Sequence, residues 1–172
     1  NSSTNNGIKQ LKLSSDEIQA NIKGKFNIMH LPASVQYFMQ RYWPAYIPAP
    51  KNTPANQDFI VAVKTNYFEP YLKLFNQDIS GLNNINISGA INTDKQSIGV
   101  TASIPFGGYK YYTIRDGDIK GNGNIDSLHL NITANQFNLT DSFGFRQPVI
   151  QINTSKDISA VSFKANSESA LQ

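Results

Sequence analysis

The residues able to do chemistry are few and scattered. The 172-residue chain holds two histidines, His30 and His129, and no cysteine. Acyl-transfer catalysis needs a nucleophile, a base and a group that orients the base. Serines are abundant, but no Gly-x-Ser-x-Gly elbow is present. The histidines are far apart, with no HxxxH spacing and no cysteine pair beside them, so neither points to a metal site. Asp116, Asp118 and Asp126 surround the glycine-rich stretch RDGDIKGNGNID, but the bidentate glutamate that would complete a calcium loop is missing. A turn followed by a strand is the expected form of that stretch. Gly117, Gly121 and Gly123 precede no Gly-Lys-Ser/Thr, so they do not make a phosphate loop. The pattern predicts no catalytic residue, no metal site and no cofactor, and the chain reads as non-enzymatic.

Composition narrows the class further. Hydrophobic residues make up 40% of the chain and charged residues only 16%, the polar remainder being mostly Asn, Ser, Thr and Gln. This mixture suits strands with one wet face. The formal net charge is +3, and the basic residues form no stripe interleaved with aromatics, which gives nucleic-acid binding little support. No stretch approaches the roughly 18 apolar residues of a spanning helix. With no signal peptide at Asn1 and polar, strand-like text at both ends, the chain reads as one segment, 1–172, of a longer protein whose membrane anchor lies elsewhere.

What would position any site is a set of alternating segments. Ile18, Ala20, Ile22, Gly24, Phe26 and Ile28 alternate with Gln19, Asn21, Lys23, Lys25 and Asn27. That is the period of two of a half-buried strand. Phe59, Val61, Val63, Thr65 and Tyr67 share a face; so do Ile85, Ile87, Gly89 and Ile91, then Ile98, Val100, Ala102 and Ile104, then Leu128, Leu130, Ile132 and Ala134. Val161, Phe163 and Ala165 repeat the pattern near the end. Turn signals stand at Asn92-Thr93-Asp94-Lys95, Phe106-Gly107-Gly108 and Asp126-Ser127, which predicts a mainly β antiparallel meander. The alternation slips by one residue near Gln136-Phe137, which demands a bulge or bend, and Gly121 and Gly123 mark further expected bends.

Two segments break the β pattern. In LPASVQYFMQRYWPAY, the spacing of Val35, Phe38, Met39 and Tyr42 predicts a short amphipathic helix over about residues 32–43, opened by Pro32 and stopped by Pro44. Glu69 to Phe75, with Pro70 at its start, predicts a second helix of one or two turns. The aromatic cluster of the first helix, Phe38, Met39, Tyr42 and Trp43 with Val35, has two readings. One is packing against a sheet face; the other is a plug in an apolar groove or a contact with a lipid–water boundary.

In this order, the pieces resemble a known family. An alternating strand closing in GKFNI leads into LPASVQYFMQRYWPAYIP. A later strand ends in NYFEPYLKLF, followed by INISGAINTDKQSIGVTASIPF and IKGNGNIDSLHLNI. This arrangement, over Ile8 to Trp43, Phe59 to Phe75 and Ile85 to Phe163, is similar to the TamB/AsmA-like family of Bacteroidetes-type bacteria. The resemblance implies an antiparallel sheet curled into a trough, or β-taco, in the periplasm of the cell envelope. It implies phospholipid as the partner, carried between inner and outer membranes, and an older proposed role in outer-membrane protein assembly. The alternating face supplies the groove candidates Ile22, Phe26, Ile28, Phe59, Val61, Val63, Ile85, Ile87, Ile98, Val100, Ile104, Leu128, Leu130 and Ile132. Two alternatives stand beside the conduit. One is a scaffold that pairs its strand edges with outer-membrane assembly proteins. The other is a surface adhesin or glycan-binding domain using Tyr109, Tyr111 and Tyr112.

Overall fold

The computed structural model describes residues 2–5, 7–155 and 157–169. Strict alternation gives each segment one face to bury and one to leave wet, and twelve strands collect into a single antiparallel sheet. They are β1 (Ser2–Asn5), β2 (Ile8–Ser14), β3 (Ile18–Lys25), β4 (Asp58–Thr65), β5 (Ile79–Gly81), β6 (Asn86–Asn92), β7 (Ser97–Tyr109), β8 (Tyr112–Asn124), β9 (Ser127–Thr133), β10 (Gln136–Asn138), β11 (Phe143–Ser155) and β12 (Ile158–Ser169). Pairing follows chain order, with the short β5 on the end of β7 and with β9 and β10 end to end between β8 and β11. The sheet is the antiparallel meander that the short polar turns predict.

The two helices are connections laid beside this sheet. Helix α1 (Leu31–Tyr42) joins β3 to β4 after a single 3-10 turn, Ile28–His30. Asn27 caps that turn by accepting from the Met29 N–H at 3.0 Å. Pro32 fits the first turn, where its missing N–H is not needed, and Pro44 follows the Trp43 cap. Helix α2 (Glu69–Phe75) joins β4 to β5, and the Asn83 side chain accepts from the Phe68 and Glu69 N–H groups at 2.7 and 2.9 Å. Its Tyr71 hydroxyl donates to Glu17 in the β2–β3 turn at 3.0 Å. Hydrogen bonds from Ser15 and then Tyr71 hold the Glu17 carboxyl below its usual range, and the same contact raises Tyr71.

Several expectations are corrected. Phe106, Gly107 and Gly108 are not a turn: they lie inside β7, and the reversal falls at Lys110-Tyr111. Gly107 is needed there because Leu82 crosses over it, at 2.9 Å from where a Cβ would stand. Gly121 and Gly123 mark no bend, since β8 keeps one unbroken register with β7 and β9 through both. RDGDIKGNGNID is strand almost throughout rather than a turn leading into one. Ile28 leaves the alternating series for the 3-10 turn and is exposed, while Ile85 precedes β6 and is buried beside Thr65.

The phase slip has a structural counterpart. Asp116 in β8 and Gln147 in β11 both take φ of 48°, the left-handed region. Between them the chain leaves the ladder at Ala134 and Asn135, where Asn135 bonds Arg115 on one side and Gln147 on the other. Beyond this line the apolar series resumes out of step: Phe137 pairs with Ile114 and Phe145, and Phe145 meets the Phe163 ring edge-on at 5.0 Å.

Candidate functional site

The pairing register places the apolar side chains in rows that run across the sheet. One row is Leu11, Ile22, Val61, Gly89, Val100, Gly121, Leu130, Ile152 and Val161, crossing nine strands from β2 to β12. The next is Leu13, Ala20, Val63, Ile87, Ala102, Ile119, Ile132, Ile150 and Phe163. At about 4.8 Å between strands, each row is roughly 40 Å long. Same-face neighbours along a strand are about 6.6 Å apart, so the two rows form one strip. Gly89 and Gly121 let the branched side chains beside them lean inward: a Cβ on Gly121 would meet Leu130 and stand 2.9 Å from Val100, and one on Gly89 would stand 3.1 Å from Val61.

A third row, on the other side of the first, has a different fate. It holds Phe59, Ile91, Ile98, Gly123, Leu128 and Thr154. Helix α1 lies over it. Phe38 and Tyr42 of the helix pack with Phe26, Phe59, Ile91 and Leu128 into the one buried hydrophobic cluster among the described residues. Phe26 and Phe59 meet edge-on at 6.1 Å. The Tyr42 hydroxyl donates to the Asn124 carbonyl at 2.5 Å, and Gly123 makes room for it. Burial pushes the Tyr42 phenol up to about 12.

The fourteen candidates therefore divide. Ile22, Val61, Val63, Ile87, Val100, Leu130 and Ile132 lie in the strip, where Ile87 is 40% exposed and Ile22 and Leu130 also pack against the margin of the core. Ile104 lies in β7 farther along, opposite Gly117. Phe26, Phe59 and Leu128 are core beneath α1, Ile98 borders that core, and Ile28 and Ile85 are in neither row. The helix residues divide too. Phe38 and Tyr42 are buried on the sheet, Met39 and Trp43 are packed at its margin, and Val35 faces solvent.

The reading of alternation alone passed over Leu11, Leu13, Ile119, Ile150 and Ile152, which the register brings into the strip. Ile8, Leu11 and Leu13 do not share one parity, and Gly121 and Gly123 dilute the β8 series around Ile119. A cleft of about 580 Å³ follows the second row across six strands, β2 to β8. It is lined by residues 12–14, 19–21, 62–64, 86–88, 101–103 and 118–120, the middle residue of each triplet belonging to the apolar row. The flanking positions include Lys12, Lys64, Lys120 and Asp118.

The opposite face is an amide-rich surface. Asn21 accepts from Gln10 at 2.9 Å, and His129 Nδ1 lies 2.6 Å from Asn153 Oδ1. His129 thus sits in an amide ladder, and His30 is exposed at the start of α1. Tyr109, Tyr111 and Tyr112 gather at the exposed β7–β8 tip, the last two edge-on at 6.4 Å. No protein-family profile, curated protein or solved structure matches the chain.

Proposed function

We propose that this domain is a non-enzymatic carrier of phospholipid acyl chains, working in the periplasm as part of a TamB/AsmA-like bridge between inner and outer membranes. The observation that supports this reading most is the register. Two apolar rows stay in phase across nine strands, and the cluster beneath α1 buries the row beside them while touching the strip only at Leu11, Ile22 and Leu130. A continuous apolar strip of this length is unusual on a surface with no use for it.

The physics fits a moving lipid tail. Each CH₂ removed from water contributes about 0.8 kcal/mol, so a whole acyl chain gains on the order of 10 kcal/mol. Such contacts are non-directional. A tail therefore slides from one strand to the next without breaking a specific bond, while its headgroup stays in water.

Native mass spectrometry of the domain, purified in contact with bacterial membranes and followed by lipid extraction, tests the reading. Adducts of phospholipid mass are expected, and they should be lost in a folded Val100→Asp or Leu130→Asp variant. A clean protein mass that persists after incubation with phospholipid vesicles would make the strip an ordinary sheet surface.

A further inference from the structure

At the strand ends away from α1, helix α2 and the β7–β8 tip lie together. Asp78, three residues after α2, accepts from the Lys110 N–H at 2.9 Å, and its carboxylate is 4.0 Å from the Lys110 ammonium. Ile79 then pairs with Tyr109. The corner so formed is apolar and wet. Leu74 and Phe75 are 79% and 89% exposed, Phe75 more than any other large apolar side chain among the described residues. Tyr109, Tyr111 and Tyr112 stand exposed on the adjoining tip. Contiguous apolar groups left in water mark a contact surface.

We infer that this corner docks on a phospholipid bilayer of zwitterionic headgroups, with Leu74, Phe75 and the three tyrosines at the lipid–water boundary. The chemistry of the corner names that occupant. Tyrosines bury an apolar body and keep a polar tip wet, as the boundary of a bilayer requires, and the α2 pair supplies purely apolar anchors. Both lysines of the corner are already paired: Lys73 is 2.7 Å from Glu69, and Lys110 faces Asp78. A charge-balanced aromatic corner matches a zwitterionic surface and gains nothing from an anionic one. A sugar is a poor fit, because the Tyr111 and Tyr112 rings stand at 68° to each other and share no flat face for stacking. The apolar floor of the sheet also runs up to this corner. Ala102 and Ile119 of the strip are followed on the same strands by Ile104 and Gly117. A Cβ on Gly117 would stand 2.8 Å from Ile114, and one on Gly107 would stand 2.9 Å from Leu82 and 3.5 Å from both Ile104 and Ile114. Gly107 pairs with Ile114, and the next pair on that face is Tyr109 with Tyr112. An acyl chain thus has a dry lane between a docked bilayer and the strip. The lane's use rests on the carrier reading; the docking does not.

The chain has no cysteine, so a single introduced thiol can carry a reporter. Phe75→Cys and Tyr111→Cys, each labelled with a nitrobenzoxadiazole dye, should brighten and shift to the blue when phosphatidylcholine vesicles are added. Tyr46→Cys, 86% exposed beyond α1 at the opposite strand ends, should not. All three side chains are open to solvent, and an unchanged thermal melt verifies that each labelled chain is folded. Phe75→Asp should weaken co-sedimentation with the vesicles about tenfold or more. Native binding should survive added salt, because it does not rest on charge. No response at 75 and 111, an equal response at 46, unchanged co-sedimentation of Phe75→Asp, or release by salt would each overturn the proposal. A response at 75 that grows with protein concentration in the absence of vesicles would assign the corner to a second copy and also overturn it. Lipid adducts without docking would sink this proposal and leave the carrier reading standing; docking without adducts would do the reverse.

Discussion

Leu128 and Leu130 stand two residues apart on β9 and point to the same face of the sheet. Leu128 is 3% exposed; Leu130 remains partly open to solvent. The same contrast separates Phe59 from Val63 on β4 and Ile91 from Ile87 on β6. Residue type does not account for it, because both rows are branched and aromatic side chains in register. Helix α1 does. The β3–β4 connection lays Phe38 and Tyr42 over one row, and only the margin of that cluster, at Leu11, Ile22 and Leu130, reaches the next. Alternation within a strand sets which face is apolar; whether that face is covered is set by a connection elsewhere in the chain.

The sharpest way to break this comparison is to put the same charge in both rows. Leu128→Asp buries a carboxylate with no partner, and burying an unpaired charge is far costlier than any local repair. The variant should lose its cooperative thermal transition. Val100→Asp, in the open strip, should keep a folded circular dichroism spectrum and lose roughly 1 kcal/mol, the share of a half-buried valine. Equal unfolding in both variants would mean that the strip is as closed as the core.

The helix itself carries the next largest effect. Phe38 is fully buried, and Phe38→Ala should cost about 3–5 kcal/mol in urea denaturation. Val35→Ala, one turn earlier and facing solvent, should change stability by less than about 0.5 kcal/mol. If the two costs were similar, α1 would be lying on the sheet with a different face from the one its buried residues define.

Strands β3, β4, β6, β7, β9 and β12 and both helices were legible because their signals are local: period two for strands, and a proline-opened apolar spacing for α1 and α2. The one-residue slip at Gln136-Phe137 was also visible, since a change of phase leaves a mark in the text. Other features were not, and three of them show why. Phe106-Gly107-Gly108 has the composition of a turn, but those glycines serve a crossing by Leu82 that is distant in sequence. Ile28 continues the alternation of β3 on paper, yet the Asn27 cap turns the chain into a 3-10 turn just before it. Membership of the strip was the hardest to read, because it depends on pairing register across nine strands. No single segment carries that information.

Glycine sharpens the comparison within the strip. Gly121 sits between Val100 and Leu130 on the apolar face, and an added Cβ would collide with both. Gly121→Ala should therefore cost about 1–3 kcal/mol through displaced side chains. Gly99 is on the other face, where a Cβ finds only the Gly121 carbonyl at 3.9 Å. Gly99→Ala should be neutral or stabilising by up to about 1 kcal/mol, because it restricts the unfolded chain. Thermal melts of the two variants, side by side, check whether the strip is packed at its floor while open at its top.

The smallest effect concerns how α1 is held. Tyr42 donates to the Asn124 carbonyl at 2.5 Å, on the turn that ends β8, and so ties the covering helix to the sheet beneath it. Tyr42→Phe keeps the ring and loses that bond, which should cost about 1 kcal/mol at neutral pH. The pH dependence gives a second signature. Burial raises the phenol from its ordinary 10.0 to about 12 in the folded protein. The folded state therefore holds this proton where the unfolded state releases it. Its contribution is complete below pH 10 and is lost as the pH rises through about 12. Stability of the native chain should fall more steeply than that of Tyr42→Phe across that window, because the variant has no phenol to ionise at this position. Urea denaturation of both proteins at intervals through the window measures the difference. Parallel curves would mean that Tyr42 meets water as readily as the open strip does, and that α1 does not seal the row it covers.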